Sequence, residues 1–217
     1  MTNLTHLRLA AREIFEAALR AVDPSAAVLR AVRLEGSTLS ICDTAIDIGS
    51  RPVYSIAIGK AAEKMAAALE EILGERLTTG IIASNAPRSG PTGSDRIEGT
   101  QVNNLRHTVF HGGHPEPNEQ SLAAARACFG LLDKANAEHA LVIFSISGGG
   151  SAMIEWPTSE DITLSDLRMA NKALVNSGAS IGEINAVRRA FSAVKGGRLA
   201  ARAPNCDQVT DCFGCSR

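Results

Sequence analysis

Short apolar runs that alternate with helical segments constrain this chain most strongly. Residues 53–58, VYSIAI, form a compact apolar run, and residues 60–74 follow with alanine-rich helical spacing that closes on Gly74. A second apolar run, TGIIAS, occupies residues 79–84. A strand, a helix and another strand in this order predict a parallel βαβ unit with a right-handed crossover.

The same alternation continues toward the C-terminus. HTVFHG at 107–112 predicts a strand, a helix begins near the N-cap candidate Asn118, and ALVIFSIS at 140–147 predicts a strand buried on both faces. We therefore predict an α/β fold, a Rossmann-like N-terminal domain with a layered, mostly parallel sheet and flanking helices. Other patterns predict a hairpin at 37–48 and helices at 5–22, 163–175, 177–189 and 192–203.

The composition narrows the classes of function. The 217 residues fit one domain and carry a net charge of −1, with Lys and Arg spread along the chain, so no nucleic-acid partner is expected. No apolar run reaches the roughly 18 residues of a membrane span, and the N-terminus lacks a signal-peptide pattern, which predicts a cytoplasmic protein without a membrane partner. Five cysteines without a secretion signal predict free thiols rather than disulfides.

A triple glycine flanked by serines ends the predicted strand ALVIFSIS. Ser147, Gly148, Gly149, Gly150 and Ser151 lie at its carboxyl end, the edge at which α/β sheets bind ligands. Glycine lets backbone N–H groups approach an anion closely, and the serines add hydroxyl donors, which predicts a phosphate site. The alternative is a loop that only turns sharply. The chain has neither GxxxxGK[ST] nor GxGxxG after a strand, so any nucleotide binds outside those motifs.

Lys60 follows the strand at 53–58 and stands at the start of the next helix. A cation is unfavourable at a helix N-terminus, because the helix dipole is positive there. An anionic substrate or a transferring phosphoryl group would explain the position of this lysine. The alternative is an ordinary solvated surface lysine.

A stiff loop between a predicted strand and a predicted helix offers candidate binding residues. GGHPEPNEQS at 112–121 holds His114 and Glu116 in a stiff glycine- and proline-rich frame, which can position polar side chains for recognition. The alternative is that the prolines only fix the path of the loop. No second cluster of His, Asp, Glu or Cys has the spacing of metal ligands, so a metal site on the loop is not expected.

The segment IGEINAVRRAFSAVKGGRLA, at 181–200, carries polar residues every three or four positions. If it is helical, Asn185, Arg188, Ser192 and Lys195 form one polar stripe, and Arg188 can bind a carboxylate or a phosphate. The alternative is a solvated helix face. The Gly-Gly pair after Lys195 is poor for a plain helix, which favours a functional role.

These motifs, in this order, resemble the N-terminal half of the glycerate 2-kinases, a family that also contains proteins called hydroxypyruvate reductases. The resemblance spans residues 5–204 and rests on IAIGKAAEKMAAALEEILG, GGHPEPNEQS, SISGGGSAMIEWP and IGEINAVRRAFSAVKGGRLA. It implies two α/β domains around a cleft. It also implies phosphorylation of D-glycerate by ATP, with Mg²⁺, on the 2-hydroxyl to give 2-phosphoglycerate.

The resemblance also implies roles for individual residues. Lys60 matches the catalytic lysine of the family, and the loop 147–151 matches the segment that contacts phosphate. The substrate-binding candidates are His114, Glu116, Asn185, Arg188 and Lys195. The resemblance assigns no metal ligands.

Family members are much longer than this chain. We therefore expect residues 1–204 to form the N-terminal α/β domain, and residues 205–217 to be an aberrant or alternative tail without a docked strand or helix, in place of the second family domain. We expect very low kinase activity from this chain alone, because a transferring phosphoryl group needs charge stabilisation from several sides. Three alternatives stay open: a non-catalytic ligand-binding form, an inactive truncated form, and a hydroxypyruvate reductase. A homodimer is also open.

Overall fold

The computed structural model describes residues 2–85, 100–101 and 106–212. Within them, six strands form the main sheet in the order β6-β7-β5-β4-β8-β9, and three form a small antiparallel sheet in the order β1-β2-β3. The strands are β1 (Val32–Glu35), β2 (Thr38–Ile41), β3 (Thr44–Asp47), β4 (Val53–Ile58), β5 (Leu77–Ser84), β6 (Thr100–Gln101), β7 (His107–His111), β8 (Leu141–Ile146) and β9 (Asp207–Cys212).

All neighbouring pairs in the main sheet are parallel except β6 with β7. The helices that connect or flank the strands are α1 (Thr2–Ala21), α2 (Pro24–Ala31), α3 (Ala62–Leu73), α4 (Glu119–Ala137), α5 (Gly150–Met153), α6 (Leu164–Asn176) and α7 (Ile181–Ala190). The predicted α/β class with a mostly parallel sheet and flanking helices is therefore confirmed. No described helix is long and apolar enough to cross a membrane.

Helix starts follow their capping residues. Asn118 caps α4 through a capping box with Ser121, as its side chain accepts the Ser121 N–H. Thr163 caps α6 in the same way, which confirms the helix predicted at 163–175. The helix predicted at 177–189 begins only at Ile181, because Ser180 supplies the N-cap.

Each face of the main sheet packs against a large hydrophobic cluster, and a third, small cluster joins α3 to the sheet through Ala57, Ala62, Ala66, Ile82 and Val109. On one face, Tyr54 and Ile56 of β4 pack with the α4 side chain Leu132. On the other, Val53 and Ile143 pack with α3 and with the small sheet β1-β2-β3. The predicted hairpin at 37–48 forms β2 and β3, and β1 adds a third strand to it. The two clusters together hold β4 and β8 as central strands buried on both sides.

The segment after α7 corrects one prediction. No α-helix forms over residues 192–203, where only Ala200–Arg202 makes a single 3-10 turn. Gly196 and Gly197 have φ angles of +68° and +83°, a left-handed conformation that breaks a right-handed helix. The four polar residues expected on one helical stripe therefore do not share a helix, since α7 ends at Ala190.

The prediction of a tail without regular structure after residue 204 was wrong for residues 207–212. This stretch forms β9, which pairs in parallel with β8 from Leu141↔Asp207 to Ile146↔Cys212. The pattern was missed because an edge strand buries few side chains, and DQVTDC offers few apolar residues to detect. The last five residues of the predicted tail, 213–217, lie outside the described residues, as does most of the stretch between β5 and β7.

Candidate functional site

The ends of two central strands bring Lys60 and the glycine loop together. Ile58 of β4 is paired with Ile146 of β8, so both strands end at the same edge of the sheet. The Ser147 N–H donates to the Ile58 carbonyl at 2.9 Å, and the Lys60 N–H donates to the Gly148 carbonyl at 3.0 Å. The two loops are thereby joined backbone to backbone.

The glycines at this edge differ in how closely other atoms approach them. Gly59 has φ +117°, and a Cβ there would lie 2.4 Å from the Ser147 carbonyl oxygen. A Cβ on Gly150 would lie 2.8 Å from Ile58 Cγ2, and one on Gly149 would lie 3.2 Å from Lys60 Cε. Gly148 has no atom within 4 Å of its Cβ position. Close packing therefore accounts for Gly59 and Gly150, whereas the backbone beside Gly148 is open to a ligand.

The two serines of the loop are not equivalent. The Ser147 hydroxyl accepts the Ala61 N–H at 3.0 Å and lies 3.4 Å from the Ile58 carbonyl oxygen, to which it donates. It therefore tethers the start of α3 to β8 and is already engaged. Ser151 is exposed, and its hydroxyl makes no hydrogen bond to any described residue. Ser151 is thus the loop serine whose hydroxyl is available to a ligand.

Lys60 is exposed and forms no ion pair with the part of the chain that the structure describes. A Cβ on Gly149 would lie 3.2 Å from both Cγ and Cε of Lys60, which is a tight contact. The aliphatic part of the lysine therefore runs along the glycine loop. A cationic side chain beside open backbone N–H groups is suited to bind an anion.

Lys195 reaches the same region from the segment after α7, paired with a residue that the sequence analysis did not single out. Its ammonium group forms an ion pair with Glu155, and the two side chains are 13% and 7% exposed. Glu155 also accepts hydrogen bonds from the Ser192 hydroxyl and from the Trp156 N–H. The glutamate follows the glycine loop by only four residues, and its apolar neighbours were the available sign that it is buried.

Burial controls the ionisation of Lys195. Desolvation lowers the pKa of its ammonium group, the neighbouring Glu155 carboxylate raises it, and Arg188 lowers it further. The carboxylate therefore favours the charged form of the lysine against the effects of burial and of the second cation.

Arg188 lies beside Lys195 in a small cavity of about 40 Å³. Its guanidinium donates to the Asn171 side-chain oxygen, and the Asn171 amide donates to the Pro115 carbonyl at 3.3 Å. Asn171 was also missed, because nothing in the pattern of α6 distinguishes it from a solvated residue. The cavity is lined by Pro115, Pro117, Ser151, Ala152, Glu155, Leu167, Asn171, Arg188, Phe191 and Lys195.

Three predicted substrate-binding residues do not line this cavity. His114 and Glu116 are exposed and make no hydrogen bond to the described residues, while the prolines that follow each of them line the wall. Asn185 is half-buried on α7 and lines neither this cavity nor the larger cleft. Their roles in binding stay predictions.

A larger cleft of about 420 Å³ lies between the glycine loop and the turn at Gly196–Gly197. Apolar side chains, among them Phe144, Ile154 and Leu199, form much of its lining. Ser151 and Lys195 line both this cleft and the small cavity. The two spaces therefore share a wall that carries a hydroxyl and an ammonium group.

A buried serine–histidine–glutamate chain lies elsewhere in the fold. The Ser55 hydroxyl is 2.5 Å from His107 Nε2, and His107 Nδ1 is 2.9 Å from a Glu70 oxygen. Ser55 is 1% exposed and His107 is fully buried. Because no substrate can reach the serine, we interpret the chain as a tie between β4, β7 and α3 across the gap left by Gly80.

No group of three or more His, Cys, Asp or Glu side chains within the described ranges could hold a metal ion. Mg²⁺ that binds with ATP usually takes one or two protein carboxylates and completes its coordination with phosphate oxygens and water, so it does not require such a group. The candidate site is the edge of the sheet formed by Lys60 and the loop 147–151, together with Arg188 and Lys195, which share a cavity with Ser151.

Comparisons with known proteins show which family the chain resembles. The family described as "Domain of unknown function (DUF4147)" matches residues 10–212. The chain is 38% identical over 183 residues to glycerate 2-kinase of Pyrococcus horikoshii, covering 84% of this chain and 38% of that protein. It is 39% identical over 151 residues to D-glycerate 2-kinase of Thermotoga maritima, covering 69% of this chain and 33% of that protein.

A solved structure shows the same fold. The crystal structure of Thermotoga maritima glycerate kinase has a TM-score of 0.72 and 31% identity, covering 96% of this chain and 44% of that one. The chain spans less than half the length of each of these relatives. The family match extends through β9, which agrees with the docking of that strand on the sheet. The chain therefore belongs to the DUF4147 family, the family of the glycerate 2-kinases.

Proposed function

We propose that this chain is part of an ATP-dependent phosphotransferase that converts D-glycerate to 2-phosphoglycerate. In this proposal the chain binds the phosphate groups of ATP and the carboxylate of D-glycerate. The observation that carries the proposal is the position of Lys60 against the glycine loop, at the shared carboxyl edge of β4 and β8. Relatives named glycerate 2-kinase support the choice of reaction. Because the chain spans 38% and 33% of the lengths of these two relatives, the activity of the whole protein belongs to the proposal.

The phosphate groups would bind along the glycine loop. The open backbone at Gly148 and the Ser151 hydroxyl supply neutral donors, and Lys60 supplies the positive charge. The cleft of about 420 Å³ beside the loop lies in the usual range for small-molecule sites, roughly 300–1,000 Å³. Its apolar lining suits the base of ATP.

The carboxylate of D-glycerate would bind to Arg188 and Lys195 in the small cavity. Both cations line that space, and a guanidinium can bind a carboxylate through two parallel hydrogen bonds. In that position the acid would lie beside Ser151, which also lines the cleft proposed for ATP. The His114, Glu116 and Asn185 side chains remain candidates for contacts to the rest of the substrate.

The transfer forms a bond from the 2-hydroxyl oxygen of glycerate to the γ-phosphorus and breaks the bond to the bridging oxygen of ADP. The electron pair leaves with ADP, and the hydroxyl proton is released. Negative charge spreads over the transferring group, so a positioned cation lowers the barrier. Lys60 has this role in the proposal.

The replacement of Lys60 by methionine tests the proposal. Hydrogen bonds to charged groups contribute about 1.5–3 kcal/mol, so we expect Lys60→Met to weaken binding of 2-phosphoglycerate roughly 10- to 100-fold in calorimetric titration. Lys64→Met is the matched control, because Lys64 lies four residues further along, within α3, and its side chain forms only an exposed ion pair with Asp23. Equal affinities of Lys60→Met and wild type would reject the role of Lys60.

The reductase alternative requires a nicotinamide cofactor. Since the sequence contains no dinucleotide-binding fingerprint, we expect NADH fluorescence to stay unchanged when the protein is added. ATP-dependent formation of 2-phosphoglycerate above background, which we expect to be very slow for this chain alone, is the positive assay for the kinase. A saturable NADH signal without any phosphorylation would favour the reductase.

A further inference from the structure

The pair Glu155–Lys195 is unusual because both charged groups are buried. Lysine and glutamate are rarely buried unless they are paired, and a buried ion pair seldom stabilises a fold more than apolar residues of the same size. Here the side chains are only 13% and 7% exposed. Fold stability alone is therefore a weak reason for this pair, and a role at the site is the stronger explanation.

The hydrogen bonds of the pair are unevenly distributed. Glu155 is held from three directions, by Lys195, by the Ser192 hydroxyl and by the Trp156 N–H at 3.0 Å. An ammonium group has three donors, yet Glu155 is the only acceptor that Lys195 Nζ has among the described residues. The hydrogen bonds thus fix the position of the Glu155 carboxylate, and the Lys195 ammonium group retains N–H donors that can bind a ligand.

The position of Lys195 determines where those donors can be used. Lys195 lines the small cavity with Arg188 and also lines the larger cleft beside the glycine loop. Ser192 reinforces this position, because its oxygen accepts the backbone N–H groups of Val194 and Lys195 at 3.3 and 3.2 Å. Side chain and backbone of the lysine are therefore tied to the same buried centre.

We infer that Glu155 is a positioning residue, whose carboxylate holds the Lys195 ammonium group at the wall between the two cavities so that it can bind an acidic group of the ligand. The identity of that ligand rests on the proposed function, whereas the relation between Glu155 and Lys195 does not. Two charged groups face the lysine, the Glu155 carboxylate and the Arg188 guanidinium. Without the carboxylate, burial and Arg188 both favour neutral lysine.

The lysine itself can be observed without any ligand. The chain has five lysines, Lys60, Lys64, Lys134, Lys172 and Lys195, so the ¹³Cε signals of lysine-labelled protein can be assigned with single variants. We expect the Lys195 titration midpoint in Glu155→Gln to fall by roughly one to three pH units relative to wild type. Glu160→Gln, which removes a charge from an exposed nearby residue, is the matched control and leaves the midpoint unchanged.

Ligand binding is the second measurement. For Glu155→Gln we expect 2-phosphoglycerate affinity, compared with wild type at the same pH, to be about 10-fold lower at a pH above the Lys195 midpoint measured in that variant, and to recover toward the wild-type value at a pH below it, where the lysine is charged. A purely structural role of Glu155 would weaken binding equally at both pH values. Glu155→Asp retains the charge on a shorter side chain and gives an intermediate midpoint, which also keeps the test available if Glu155→Gln fails to fold.

The outcomes separate this inference from the proposed function. An unchanged Lys195 midpoint in both Glu155 variants would overturn the positioning role. A pH-independent loss of affinity would also overturn it. If the Lys195 midpoint falls in Glu155→Gln but wild-type protein binds no 2-phosphoglycerate, the positioning of Lys195 by Glu155 is supported. The proposed ligand is then rejected instead.

Discussion

At the scale of single residues, the edge of the sheet shows how one motif can serve two purposes. The glycines were expected to expose backbone to a ligand, and Gly148 fits that expectation. Gly59 and Gly150 are instead required by the close contact of the two loops with each other. Ser147 likewise has a structural task, because its hydroxyl tethers α3 to β8.

Replacement of Gly59 by alanine is expected to destabilise the fold. Alanine at φ +117° is strained, and its Cβ would lie 2.4 Å from a backbone oxygen that cannot easily move. We predict a loss of about 2–5 kcal/mol in the free energy of unfolding, measured by urea denaturation. Gly148→Ala is the control and should change stability by less than about 1 kcal/mol, since nothing lies within 4 Å of its Cβ position. Similar losses for both variants would contradict the close-packing argument.

At the scale of elements, α1 and α3 differ sharply although both have amphipathic sequences. α3 buries Met65 and Leu69 completely or nearly so against the sheet. α1 leaves Leu7 61%, Ile14 71% and Phe15 63% exposed. The apolar spacing of residues 5–22 correctly predicted a helix, but spacing cannot show whether the apolar face finds a partner in the fold.

The double variant Leu7→Gln/Ile14→Gln tests the exposure of α1. Glutamine has a helix propensity similar to that of leucine, and little apolar area is lost from the core. We therefore predict a change of less than about 1 kcal/mol in thermal or urea unfolding. Met65→Ala, which leaves a cavity under α3, should cost about 2–5 kcal/mol. A large loss in the α1 variant would show that its apolar face is buried in solution.

At the scale of the whole molecule, the main sheet separates two hydrophobic clusters that share no residue. Leu132 of α4 belongs to one and Leu69 of α3 belongs to the other, and both are buried. The central strands β4 and β8 contribute side chains to both clusters. The stability of the site therefore depends on two cores that support the same strand ends from opposite faces.

The independence of the two cores can be measured with Leu69→Ala and Leu132→Ala. Each variant should lower the free energy of unfolding by about 2–5 kcal/mol. Because the two side chains share no cluster, the double variant should equal the sum of the single losses within about 0.5 kcal/mol. A double variant much less destabilised than that sum would show that the clusters behave as one coupled core.

The candidate site was predictable wherever its residues lie next to a strand end. Lys60 and the loop 147–151 follow apolar runs whose parallel pairing could be inferred, so their meeting at one edge could be inferred as well. Arg188 and Lys195 were predicted from their charge, and they line one cavity, although the expected helical stripe was wrong. Glu155 and Asn171 were missed, because the contacts that define them come from segments distant in sequence.

The sequence by itself determined most of the alternation of strands and helices, the N-cap at Asn118 and the carboxyl edge of the sheet at which the candidate site lies. Those features depend on local periodicity and local hydrogen bonds. Only the tertiary structure decided that β9 docks beside β8, that Ser147 is engaged, and that Glu155 holds Lys195 between two cavities. These contacts join residues far apart in the chain, and burial of charge emerges only when such segments pack together.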